Sequence, residues 1–121
     1  MKTKIITTFL GLLLVFSYSE VRGADWIYIG EISNDSYYYD RESISHSDIN
    51  IVRTWTKIEY SDLREIVGLV EINCKTKMAR ILSTSEYNQM GDVEALGSAS
   101  GKWAYITPET MIDKLHSTLC K

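Results

Sequence analysis

Cys74 and Cys120 are the only cysteines in a chain of 121 residues, and the second stands one residue from the end. Joined to each other, they would close a loop of roughly 46 residues and tie the tail of the chain to its middle. Whether they join depends on the compartment, and the first residues speak to that. Lys2 and Lys4 give a positive start, residues 5–16 are apolar apart from Thr7, Thr8 and Gly11, and Val21-Arg22-Gly23 leads into Ala24. This is the pattern of a secretory signal peptide over residues 1–23. A transmembrane anchor needs about 20 apolar residues, and this run is shorter. The expected cleavage point carries no cysteine, which argues against a lipid-anchored lipoprotein.

Outside the cytosol thiols tend to pair, and an even count in a small exported chain predicts an intramolecular bridge. The alternatives ask for more: a metal site needs two further ligands at suitable spacing, and a redox pair usually has a C-x-x-C spacing. The pair therefore reads as a structural Cys74–Cys120 disulfide. Residues 24–121 are one small domain, whose apolar burial barely offsets its chain entropy, so a covalent staple is a large part of its stability.

Without residues 1–23, the 13 basic and 16 acidic residues become 10 and 15, a net charge of about −5 with histidines neutral. The basic residues are scattered among acids. A nucleic-acid partner, which needs clustered Lys and Arg to displace counterions, is not expected.

The pattern around each cysteine predicts how the two meet. In residues 66–75, Ile66, Gly68, Val70, Ile72 and Cys74 alternate with Val67, Leu69, Glu71, Asn73 and Lys75, so Cys74 belongs to the apolar, inward face of a strand. Near the end, Thr107 is expected to cap a helix whose first position is Pro108, with Glu109 at its positive N-terminus. Met111, Ile112, Leu115 and Leu119 then form one stripe, with Cys120 at its margin. A helix of about 13 residues is marginal alone, and the bridge would keep its last turn from fraying.

Elsewhere the chain reads as strands, over residues 25–29, 36–40, 49–60, 67–74, 78–84, 93–95 and 102–106, with a glycine-serine loop at 97–101. In the 49–60 strand Val52, Thr54, Thr56 and Ile58 share one face and Ile51, Arg53, Trp55 and Lys57 the other, and the pattern leaves open which is buried. Strands followed by one terminal helix predict an α+β domain: an antiparallel sheet of about five or six strands covered by a C-terminal α-helix, with one disulfide.

The segments "DWIYIG", "YYYDRESI", "VRTWTKIEY", "VEINCKTKMARILSTSEYNQMG" and "GKWAYITPETMIDKLHSTLC", in this order, resemble the surface-adhesin E family of exported bacterial proteins. The more specific parts are the strand cysteine followed by a basic hairpin and Tyr87-x-x-x-Gly91, and the Trp103-x-x-Ile106-x-Pro108 entry into a cysteine-ended helix. The resemblance spans essentially all of residues 24–121. It implies an antiparallel sheet under a C-terminal helix, a bacterial exported location, and adhesion to host or matrix proteins, and it brings no catalytic residues.

No enzyme motif stands out. His116 lies within about 40° of Ile112 on the helix and reads as interfacial, while His46, in the polar stretch "SISHSD", reads as exposed. Asp40, Glu42 and Asp48 do not match a calcium loop. No catalytic residue, metal or cofactor is expected. The candidate binding residues are Tyr37 and Tyr39, on one face of a strand with Tyr38 on the other, and Trp55, which alternates with Arg53 and Lys57. Trp103 is assigned to the core. The expected function is an exported non-enzymatic binding protein of the bacterial envelope, an adhesin for a host or matrix protein. The alternative is a periplasmic structural or accessory subunit that binds another envelope protein. An open sheet with little edge protection also predicts a homodimer through a sheet edge.

Overall fold

The computed structural model describes residues 24–97 and 101–121. The expected signal peptide and the centre of the 97–101 loop lie outside these residues. The chain starts with a hairpin of β1 (Trp26–Ile32) and β2 (Asp35–Asp40). Its two-residue loop, Ser33 and Asn34, has both φ angles positive, at 51° and 70°, the geometry that matches the twist of the flanking strands. A short 3-10 turn, Arg41–Ser43, displaces the chain into β3 (Ser45–Asp48). The longest strands follow: β4 (Ile51–Glu59), β5 (Glu65–Asn73) and β6 (Met78–Tyr87). After β7 (Val93–Gly97) and β8 (Ala104–Tyr105) comes the helix α1 (Met111–Leu119).

All pairings are antiparallel, in the order β1-β2-β4-β5-β6-β7, with β3 paired to the start of β4 and β8 to the start of β6. β2 and β3 thus share one position beside β4, and β7 and β8 share one beside β6, so eight strands occupy six positions. The expected architecture is the observed one, with more strand segments than anticipated. β3 is the element that sequence patterning missed. Its residues are all exposed, and "SHSD" carries no apolar alternation; it exists because the start of β4 offers unpaired backbone groups. At the jog the Trp55 N–H donates to Ser43 Oγ at 2.9 Å, and Thr54 Oγ1 donates to the Asp40 carbonyl at 3.0 Å. These two hydroxyls stand in for the interrupted ladder.

The question left open by β4 is settled by its register. Val52 pairs with Ile72 and Thr54 with Val70, while Ile72 also pairs with Ala79, and this face meets α1. Val52, Val70, Ile72, Ile106 and Leu115 are the buried hydrophobic core, with Ile112, Leu119 and both cysteines packed against it. Each fully buried aliphatic side chain of this kind contributes about 1.5–3 kcal/mol. Ile49, expected at the start of the strand, is instead an exposed turn residue, and β8 is two residues of the expected 102–106 strand.

The helix begins later than expected. Thr110, not Thr107, is its N-cap: the Asp113 N–H donates to Thr110 Oγ1 at 3.2 Å, and the Asp113 carboxylate reaches back past the cap to accept from the Glu109 N–H at 3.0 Å. Glu109 has a φ of 66°, which no α-helix accepts, so Pro108 belongs to the preceding turn. The helix is nine residues long and reaches β1 at Gly30, where a Cβ would stand 2.9 Å from Met111 Cε.

The Cys74–Cys120 disulfide is formed, with Cα atoms 5.5 Å apart and a sequence separation of 46. It fixes the last turn of α1 to the end of β5. Replacing Cys120 by Ser, with Cys74 also replaced to avoid a free thiol, should lower unfolding free energy by about 4 kcal/mol, with exposure of α1. Urea unfolding followed by circular dichroism measures this, and a loss below about 1 kcal/mol would show that the helix holds its place without the bridge.

Candidate functional site

α1 covers one face of the sheet. The opposite face has no helix over it among the described residues, and the register places its side chains in rows. Arg53 pairs with Glu71 and Glu71 with Arg80 in the first row, and Trp55, Leu69 and Ser83 form the second. The third runs across all six positions: Tyr28, Tyr38, Lys57, Val67, Ser85 and Leu96. Glu59, Glu65, Tyr87 and Val93 follow in the fourth.

The first row is an ionic clamp. Glu71 is fully buried, although it belongs to the face without a helix. Its Oε2 accepts from Arg53 Nη2 at 2.8 Å and from Ser47 Oγ at 3.1 Å, and its Oε1 accepts from Arg80 Nε at 2.8 Å. The Arg80 guanidinium in turn lies 4.5 Å from the centroid of the Trp103 ring. Burial pushes the Glu71 carboxyl up, but the hydrogen bonds from Arg80, Arg53 and Ser47 together outweigh it, and the group is held below the usual glutamate range. The clamp thus binds β3, β4, β5, β6 and the segment before β8. Trp103 is therefore not a residue of the core under α1; it is a half-buried partner of this clamp, because the pairing of Ala104 with Ala79 turns its neighbour to the other face.

The third row is aromatic at one end and aliphatic at the other. The Tyr28 and Tyr38 rings meet edge to face at 5.7 Å. Lys57 Nζ lies 4.7 Å from the Trp26 ring centroid and 4.9 Å from that of Tyr38, so the ammonium is held between two π faces. Beside it opens a cleft of about 430 Å³, lined by Trp26, Lys57, Leu63, Glu65, Val67, Tyr87 and residues of the β6–β7 turn, including Asn88 and Gln89. On the helix side, a groove of about 390 Å³ runs between α1 and β6–β8 along Val70, Ala79, Ile81, Tyr105 and Ile112. A smaller apolar space of about 140 Å³ lies beneath α1.

The three residues singled out from sequence do not form one site. Tyr37 pairs with Ile58 and Tyr39 with Thr56, which places both on the face under α1. Tyr39 packs against the core, and Tyr37 lines the small apolar space, where burial first, then Asp35 and Tyr60, push its hydroxyl up. Trp55 is on the helix-free face beside Leu69. The tyrosine that shares that face is Tyr38. Sequence reasoning did not name Tyr38, Trp26 or Tyr87 among the candidate binding residues; register finds Tyr38, in the row of Lys57 and Val67, and Tyr87, opposite Glu65, whereas Trp26, opposite Asp40, is found by its ring contact with the Lys57 ammonium.

His46 is exposed in β3, and His116 Nε2 lies 3.5 Å from the Cys74 carbonyl; neither lines these clefts. Among the described residues no group of three His, Cys, Asp or Glu side chains could hold a metal ion. No helix among them is long and apolar enough to cross a membrane.

The family model of surface-adhesin protein E matches residues 26–121, from the first residue of β1 to the end of the chain. The chain belongs to the surface-adhesin protein E family. Among curated proteins, none matches it. Membership in this family implies a surface adhesin: a non-enzymatic binding protein, exported or held at the cell surface.

The clamp on the adhesin sheet has a measurable consequence. Glu71→Ala leaves two partly exposed arginines facing an emptied site and should cost about 1.5–3 kcal/mol of stability, less than a wholly buried pair would because water reaches both guanidinium groups. Since the folded carboxyl titrates below its unfolded value, its contribution is complete above the ordinary glutamate pKa and is lost as pH falls through the lowered folded value. Urea titrations from neutral to acid pH should show this loss in the native protein, and a shallower one in Glu71→Gln. An unchanged acid limb would mean that the clamp is not what acid disrupts.

Proposed function

We propose that the protein is an exported, non-enzymatic binding protein of the bacterial envelope that acts as an adhesin, holding a protein partner against the helix-free face of its sheet. The observation that carries this reading is the row Tyr28–Tyr38–Lys57–Val67–Ser85–Leu96, which crosses the whole sheet with no layer over it among the described residues. A sheet face of this composition is where the fold departs from simple burial. Two tyrosines in contact at one end of the row, with Lys57, Val67, Ser85 and Leu96 continuing it and Trp55 in the row beside it, have the mixed chemistry of protein interfaces, where Trp and Tyr supply large contact areas at low entropic cost. Family membership supports the same reading. The ionic clamp holds the strands of that face in register without covering them.

Charge placed in the centre of the face should abolish capture. Trp55→Glu should weaken binding to matrix or envelope proteins about 10–100-fold, whereas Tyr105→Ser, on the helix side, should leave it unchanged. Surface plasmon resonance against a panel of such proteins makes the comparison, and equal loss in both variants would remove the face from consideration.

Self-association is a second use of the same sheet. All five residues of β7 are exposed, with Val93 and Leu96 among them, while β1 at the other edge carries a register shift between Tyr28 and Gly30. A long exposed edge pairs readily with another strand unless it is guarded. A homodimer through β7 is expected in sedimentation equilibrium at high protein concentration, and Ala95→Pro should make it monomeric. A monomer at every concentration refutes this.

A further inference from the structure

We infer that the cleft beside Lys57 is a carbohydrate subsite, one that takes a pyranose ring between Trp26 and the Tyr87 end of β6. This deepens the reading of the helix-free face as the binding surface, and rests on it. The chemistry of the lining selects the ligand class by exclusion. Trp26 and Tyr87 present aromatic surface and Val67 an aliphatic floor, so the ligand needs an apolar face. Lys57 and Glu65 place one cation and one carboxylate in the same cleft. A cationic ligand would meet Lys57, an anionic one would meet Glu65, and a purely apolar one would strip water from both without replacing it.

A neutral ligand with many hydroxyls on an apolar ring meets none of these penalties. The polar groups are also free to serve it. Glu65 stands opposite Glu59 in the register, and among the described residues neither is in an ion pair, so the Glu65 carboxylate keeps its lone pairs as acceptors. The Lys57 ammonium is held by π faces rather than by a carboxylate, which leaves N–H donors. Asn88 Oδ1 accepts from the Met90 and Asp92 N–H groups, each at 3.0 Å, which fixes the turn and leaves the amide NH₂ as the end able to donate to a ligand. A volume of about 430 Å³ suits one or two sugar rings.

The same pyranose chemistry has two sources, glycan chains on an animal glycoprotein and the glycan of the bacterial wall. The test titrates the isotopically labelled exported protein with two neutral probes, N-acetyllactosamine and the wall disaccharide of N-acetylglucosamine and N-acetylmuramic acid with its lactyl carboxyl amidated, followed by NMR. At least one probe should give saturable shifts at the Trp26 indole N–H and at residues 65–67 and 87–89, with a dissociation constant of about 1 mM. The probe that saturates names the source. Trp26→Ala should weaken this binding about tenfold, and Tyr105→Ser should not change it. Should Trp26→Ala fail to fold, Lys57→Met removes the donor while keeping the stem, and the shifts in the native protein still locate the site. Absence of saturable shifts for both probes, or shifts confined to Ile81 and Tyr105 in the helix-side groove, overturns the inference. If Trp55→Glu abolishes protein capture while neither sugar binds, the helix-free face remains the binding surface and only the sugar subsite fails. Sugar binding in the cleft with capture indifferent to Trp55→Glu would be the reverse failure.

Discussion

The Cys74–Cys120 bridge is what allows nine residues of helix to serve as a whole layer. A sheet buries its apolar face only against something, and isolated helices shorter than about 12–15 residues are marginal in water. α1 is below that length, and it is held from both ends: by the Thr110 cap and the Asp113 bond to Glu109 at its start and by the disulfide after its last residue. Leu115 and Ile112 can then stay on Val52, Val70 and Ile72 without the helix having to be stable by itself. Because this layer is minimal, it covers one face and no more, and the rest of the architecture follows from what the other face must do instead.

That other face is held together by charge. Arg53, Glu71 and Arg80 stand side by side on three neighbouring strands, and the carboxylate between the two arginines is fully buried. A buried ion cluster is a poor source of net stability, since desolvation consumes most of the Coulomb gain and apolar replacements often do as well. Its directional bonds, however, penalise any slip of register, and a one-residue slip would turn every side chain of a strand to the wrong face. A face left open needs such a device, because among the described residues no second layer enforces the pairing. The stacking of Trp103 on Arg80 extends the same control to the segment that leads into β8.

How much of this was legible in the sequence depends on whether the information was local. The alternation through Ile72 and Cys74, the apolar stripe of the helix and the positions of the turns depend on near neighbours, and they gave the layers and the bridge. β4 was ambiguous because its inner face carries Thr54 and Thr56 and its outer face Trp55, so neither side looked like a core. Glu71 read as an ordinary polar position, since its burial is created by arginines on two other strands. Tyr37 and Tyr39 were singled out as a surface pair for a similar reason: three tyrosines in a row state their alternation but not which side the helix will take. The Thr107 cap failed on one backbone angle, at Glu109, that no propensity rule anticipates.

The composition of the open face carries two requirements at once. An uncovered sheet of aliphatic residues would aggregate, and a fully polar one would hold no partner. Tyr and Trp, with Lys57 lodged between rings, offer apolar area that water still tolerates, and Ser83, Ser85, Glu59 and Glu65 break that area into short stretches. Those interruptions also bound what such a face can accept, because anything laid over it must satisfy those polar groups as well as cover the rings. A ligand with a mixed surface meets that condition, and a purely apolar one does not. The residues that limit apolar exposure on this face are thus the ones whose hydrogen bonding any covering surface has to match.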